Sequence, residues 1–240
     1  MTSHLPYHFG IYLVLLVVGF ILQFTLSSRD HTLRGHGDWK KFIFFNLIIL
    51  TILLLFYFAP TSPFWIHGTI ALFGFFELIS SKTKPLYLIL FLPLIVSFAF
   101  GYWVIDSNLL ATTLLLTAVF DGYSQLTGKL FGRHKLTPSI SPNKTIEGFI
   151  GGTFVVYLTA FALHSVGYKI VPIFILFLPA FALLGDLGAS FIKRKSNIKD
   201  FGRLLPGQGG ILDRFDSYIA TTNWILLFYI LTALHHVYIT

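Results

Sequence analysis

The chain has 240 residues, of which 55% are hydrophobic, 18% aromatic and 11% charged. An ordinary soluble domain carries roughly 25% charged residues, so a water-facing surface is excluded and the length is better counted in membrane spans of about 20 residues. The net charge of +7 then reads as positive-inside bias and attraction to anionic headgroups rather than nucleic-acid binding, and the absence of cysteine excludes disulfide and thiolate chemistry.

The first apolar run covers residues 8–26 and has Arg29 and Arg34 after it, with no Lys or Arg before it. A signal peptide carries its positive charge first, so a retained span with an outer N-terminus is expected. Further spans are predicted near 42–59, 64–80, 86–104, 109–128, 148–166, 170–192 and 213–234. The second and third are joined by a tight turn, Ala59-Pro60-Thr61-Ser62-Pro63. The expected fold is all-α, a polytopic bundle of about 8 transmembrane helices. It forms one membrane domain over 1–240, with N-terminal spans in 1–108 and the chemistry in 109–240.

The cations support this layout. Alternate loops hold Arg29, Arg34, Lys40 and Lys41, then Lys82 and Lys84, then Lys129, Arg133, Lys135 and Lys144, then Lys193 through Arg214. Only Lys169 of the 17 Lys and Arg falls on the other side. The basic side is therefore expected to be cytoplasmic and both termini outside, in a cell (inner) membrane.

Ionisable groups at membrane depth are costly and so are functional candidates. Glu77, Asp121 and Asp186 lie towards the inner ends of their spans, whereas Asp106 reads as a solvated acid of an outer turn. Asp121 shares a helix face with Ser124, Gln125 and Gly128, and the two middle residues equally suit interhelical hydrogen bonding. Glu77 suits either a pairing with a nearby cation or a place in the site.

In Ser141-Pro142-Asn143-Lys144-Thr145-Ile146-Glu147-Gly148, Ser141 is the expected N-cap and Pro142 the first position of the sixth span. That helix start suits a phosphate, with Lys144 adding charge. Gly148, Gly151 and Gly152 read as close helix packing. Asp186 is followed on its face by Ser190, Lys193 and Arg194, leading into a loop with Lys199, Arg203 and Pro206-Gly207-Gln208-Gly209-Gly210, then Asp213, Arg214 and Asp216, the two acids three apart and so on one face at the start of the eighth span. Glycines let backbone N–H groups approach an anion, and carboxylates on two helices beside them suit a divalent cation holding a polyphosphate. A polybasic loop touching lipid would explain the cations but not the acids and glycines. The nine histidines show no metal-ligand spacing.

The stretch Ser190-Phe191-Ile192-Lys193-Arg194, four further residues, and Lys199-Asp200 through Gly209-Gly210-Ile211-Leu212-Asp213-Arg214-Phe215-Asp216 resembles the signature of phosphatidate cytidylyltransferases, the CDP-diacylglycerol synthases. The segment 141–148 and Asp121, Gly128 and 131–135 resemble the same family. That resemblance implies transfer of a cytidylyl group from CTP to phosphatidic acid with release of pyrophosphate. It implies Asp186, Asp213 and Asp121 as ligands of Mg²⁺, with room for a second metal ion, and Lys193 and Arg194 beside Asp186 and Asp213 in catalysis. It assigns Ser141, Asn143, Lys144, Thr145, Ser190, Lys199, Asp200, Gln208, Gly209, Gly210 and Arg214 to substrate binding, and it implies a homodimer. Two departures stand out. The family usually has His where this chain has Gln208, which can hydrogen-bond but not donate as an acid, and the Thr-Gly-Ala-Tyr often following the acid at Asp121 is missing. The alternatives are a CTP-dependent enzyme acting on another lipid or lipid phosphate, including a lipid kinase, and a catalytically silent transporter or scaffold.

Overall fold

A computed structural model describes residues 5–29, 36–59, 61–205 and 209–239. These form eight α-helices and one small hairpin: α1 (Leu5–Arg29), α2 (His36–Phe58), α3 (Ser62–Ser80), α4 (Pro85–Val104), α5 (Ser107–Phe131), β1 (Lys135–Thr137), β2 (Ser141–Thr145), α6 (Ile146–Ser165), α7 (Pro172–Lys195) and α8 (Leu212–Ile239). By length and apolar composition α1 to α7 are each able to cross a membrane. The last helix, of 28 residues, opens with Asp213, Arg214 and Asp216 before its apolar run. Side chains such as Val14, Phe24, Trp65, Leu90, Trp103 and Phe161 point outward and exposed, as expected where lipid is the solvent.

Helix α5 is the axis of the bundle. Every residue from Leu110 to Phe120 is buried, the all-round burial of a core helix. It packs most extensively on α6, and also contacts α1, α2, α7 and α8. The α5–α6 approach depends on glycine. A Cβ on Gly148 would meet the Ser124 carbonyl oxygen at 2.6 Å, and one on Gly151 would meet Thr127 at 2.6 Å. The small residues of 148–152 thus act as packing, as small-residue interfaces do between membrane helices.

Two helix starts refine the sequence reading. Asp106 is not merely solvated, because its Oδ2 accepts from the backbone N–H of Asn108 (2.9 Å) and caps α5. The cap of α6 is not Ser141. Residues Ser141–Thr145 instead pair antiparallel with β1, Lys135 opposite Thr145 and Thr137 opposite Ser141. The backbone there is extended, and Thr145 takes the cap, its Oγ1 accepting from Gly148 N–H at 3.1 Å. A Ser-Pro pair suits a strand without a partner on its other side as well as a helix start, and the preceding strand decides between them.

Candidate active site

One cavity of about 1030 Å³ opens between α1, α2, α5, β2, α7, α8 and the loop before α8. Asp121 of α5, Asp186 of α7 and Asp216 of α8 all border it. The three carboxylates are close enough to repel one another through space. Lys144, delivered by the hairpin, forms an ion pair with Asp186 Oδ2. Burial penalises its ammonium, but Asp186 and Asp121 outweigh that penalty and hold its pKa above the ordinary lysine value. Ser217 donates to Asp121 Oδ1 at 3.2 Å, and Ser190 donates to Asp186 Oδ1 at 3.4 Å. Ser141, Asn143, Thr145, Lys199, Asp200, Gly209 and Arg214 also border the cavity.

Asp213 borders the cavity as well, but its carboxylate is already engaged. Its Oδ1 pairs with Lys193 Nζ at 2.7 Å, and its Oδ2 accepts from the N–H groups of Phe201 and Gly210, both at 2.9 Å. Both oxygens are engaged, and the pair is almost wholly buried, with side-chain exposure of 11% and 4%. The carboxylate therefore folds the loop back onto the start of α8. Lys193 also lies over the Phe201 ring, 5.3 Å from its centroid, and does not border the cavity. Gly209 adopts φ +86, and a Cβ there would sit 3.0 Å from Asp213 Oδ2, so glycine serves this turn both by conformation and by space. The amide of Gly210 is spent on Asp213. Arg194 is exposed and lies apart from the cavity wall. Gln208 lies outside the described residues.

Glu77 resolves as an anchor. From α3 it accepts from Ile211 N–H (3.0 Å) and Leu212 N–H (2.8 Å), capping α8 from another helix. Helix N-termini carry free N–H groups and partial positive charge, which a carboxylate satisfies. A Cβ on Gly202 or Gly210 would sit against this carboxylate and push it off its two N–H partners. Glu147 plays the same part for the hairpin. Its carboxylate takes the Arg133 N–H (3.1 Å) and His134 Nδ1 (2.6 Å), fixing the turn that leads into β1.

Cavity residues outside the sequence-based set include Asp216, Ser217, Gln23, Lys41 and Asn46. Asp216 was visible as the partner of Asp213 on one face. Gln23 and Asn46 carried a signal as polar groups inside apolar spans. Nothing in the local sequence pointed to Lys41 or Ser217.

The donor set is made of hard oxygens, which fit Mg²⁺. Asp121, Asp186 and Asp216 place up to three negative charges beside Lys144 and near Arg214, a balance that a divalent cation would improve. Among the described residues no three acids or histidines already close on a single point, and Lys144 stands against Asp186.

Fold and site together define a polytopic membrane protein with a cluster of carboxylates and cations in a cavity at the helix ends. The model of the cytidylyltransferase family matches residues 2–233, and the chain belongs to that family. It is 50% identical over 110 residues to a phosphatidate cytidylyltransferase of Staphylococcus aureus (strain COL), covering 44% of this chain and 42% of that protein. A Bacillus subtilis (strain 168) protein of the same name is 45% identical over 104 residues, 41% of this chain and 39% of the relative. One from Staphylococcus haemolyticus (strain JCSC1435) is 33% identical over 201 residues, 78% of this chain and 69% of the relative. The first two matches thus span less than half the length of the relatives concerned.

Proposed function

We propose that this chain transfers the cytidylyl group of CTP to phosphatidic acid, forming CDP-diacylglycerol and pyrophosphate at the cytoplasmic face of a cell membrane. The observation that supports it most is the cavity that carboxylates of three helices line together with Lys144, Lys199, Arg203 and Arg214. Names borne by the relatives point to the same reaction.

The reaction brings two polyanions together, and phosphatidate supplies its own phosphate oxygen as nucleophile, so no activated Ser or Cys is required. Asp121, Asp186 and Asp216 would hold Mg²⁺, while Asp213 serves the loop. When bound, Mg²⁺ supplies charge neutralisation at the transferring phosphoryl group and the pyrophosphate leaving group. Lys144 is placed to exchange Asp186 for a phosphate oxygen of the nucleotide. Lys199, Arg203 and Arg214, around the rim, screen repulsion between the two substrates and draw CTP from the aqueous side. The bond from the lipid phosphate oxygen to the α-phosphorus forms as the bond to the β-phosphate oxygen breaks, with the reacting oxygens in line. The chain's own contribution is alignment of the two phosphates and preorganised positive charge.

The test supplies purified protein with phosphatidate and CTP labelled at either the α or the γ phosphate. Label from the α position entering lipid, dependent on Mg²⁺ and abolished by chelation, is the expected result. Transfer of γ label would replace this reading with a lipid kinase, and no transfer from either position would remove it.

A further inference from the structure

The cavity has two walls of different chemistry. One carries the acids and cations already described. The other is made by α1 and α2, where Leu15, Leu16, Phe42 and Phe45 supply apolar surface and Lys41 and Asn46 supply polar groups. Lys41 is near the start of α2 (His36–Phe58), at the end of the bundle where α5 and α7 carry Asp121 and Asp186. Phe45 and Asn46 lie one turn further along, about 6 Å deeper at 1.5 Å per residue. On α1, which runs the opposite way, Leu15 and Leu16 precede the cavity-bordering Gln23 by two turns, about 10 Å deeper by the same rise. The wall therefore carries its cation at the end nearest the acids and adds the apolar surface of Phe45, Leu15 and Leu16 deeper in the bundle, with Tyr12 and Asn46 among them.

This wall is also held in place. Tyr12 OH donates to Asn46 Oδ1 at 2.8 Å, tying α1 to α2. Tyr123 OH donates to the Leu15 carbonyl oxygen at 2.7 Å, tying α5 to α1. Gly19 borders the cavity and keeps it open where α1 meets α2. A Cβ there would touch the Phe42 ring at 3.6 Å, and a longer side chain would fill the groove.

We propose that α1 and α2 form the lipid-recognition wall of the site: Lys41 binds the phosphate of a membrane-embedded phosphomonoester, and the groove past Gly19 holds the first part of its acyl chains. The substrate class rests on the function proposed above. The occupant is a lipid and not a soluble phosphate, because the phosphate site continues directly into apolar surface. A single Lys suits a compact terminal phosphate as a point charge.

The test measures equilibrium binding of radiolabelled dioctanoyl phosphatidate to the detergent-purified full chain without CTP. The wild type binds it, and glycerol 3-phosphate at equal concentration does not compete. Lys41→Gln weakens binding about tenfold or more, the scale of a lost charged hydrogen bond. Gly19→Leu removes it, and both variants bind CTP as the wild type does, which also reports that they are folded. Lys84→Gln, a change in a different basic loop, leaves lipid affinity unchanged. The inference is overturned if the wild type does not bind the lipid, or if Lys41→Gln binds it normally. It is equally overturned by a matching loss in Lys84→Gln or by full competition from glycerol 3-phosphate. Lipid binding as described with no α-label transfer would instead sink the proposed reaction and leave the wall standing.

Discussion

Asp213→Asn separates an anchor from a chemical group. The Lys193–Asp213 pair spans 2.7 Å with side-chain exposures of 11% and 4%, so the substitution strands an ammonium in a nearly dry environment. Removing one partner of such a pair costs about 3–5 kcal/mol. The new amide sets its NH₂ group against donors whichever way it turns, the Phe201 and Gly210 N–H groups on one side or the Lys193 ammonium on the other, and an unmade buried hydrogen bond costs about 1–3 kcal/mol more. The expected loss is therefore at least about 3 kcal/mol, read by reversible SDS unfolding of the detergent-solubilised protein. Lys193→Met should lose a comparable amount, and the double variant should lose clearly less than the sum, with a coupling above about 1 kcal/mol. Asp186→Asn, by contrast, leaves Lys144 with the charge of Asp121 still near it and should cost clearly less stability than Asp213→Asn while abolishing cytidylyl transfer. An Asp213→Asn protein as stable as wild type but inactive would refute the reasoning and return Asp213 to the metal.

Three further outcomes follow from the geometry. Glu77→Gln removes the charge from the cap on Ile211 and Leu212. It should cost about 1–3 kcal/mol and speed amide hydrogen exchange at those two residues; unchanged exchange there would contradict the capping role. Gly151→Leu drives a side chain into Thr127, 2.6 Å from the Cβ position, and should destabilise by about 1–3 kcal/mol through overpacking, visible as a lower unfolding midpoint with no change in the affinity for CTP. For Lys144 the raised pKa fixes the sign of the pH dependence. Its ion pair contributes stability that is complete below the unfolded lysine value of roughly 10.4 and is lost as pH rises through the higher folded value. The stability difference between wild type and Lys144→Met should accordingly be flat from about pH 7 to pH 9 and shrink only above about pH 10. A difference that vanishes by pH 8 would mean that Lys144 loses its proton near neutrality.

Most of the helix pattern was legible because lipid imposes apolar runs of fixed length, and the expected spans coincide closely with α1 to α8. Asp121 and Asp186 are visible as costly groups at the inner ends of their spans and Lys144 as a cation in the 141–148 segment, and the structure brings them together. The cap at Ser141 was misplaced because a helix-start motif says nothing of an upstream strand, and Lys135–Thr137 claims that segment for a hairpin. Spacing put Asp213 and Asp216 on one helix face but could not show that the loop through Phe201 and Gly210 folds back to occupy Asp213. That outcome depends on a chain path through two glycines and a contact from α3, more than a hundred residues away in sequence. Lys41 was hidden for a related reason: its partners across the cavity lie on helices remote in sequence, and one more Lys in a basic loop looks like positive-inside bias.

The reach of Glu77 has a bearing on how this protein can be divided. The residues that resemble the cytidylyltransferase signature all lie between 121 and 216, as if they were a transferable cassette. Yet the first turn of α8 is closed by a carboxylate 134 and 135 residues earlier in the chain, and Gly202 and Gly210 are shaped around it. A polypeptide beginning at residue 109 would carry the whole signature and still lack the piece that seals it. Because the link is noncovalent, a separately expressed fragment containing α3 could supply the missing carboxylate in trans. Autonomy here belongs to the assembled bundle and not to the stretch of sequence that is easiest to recognise.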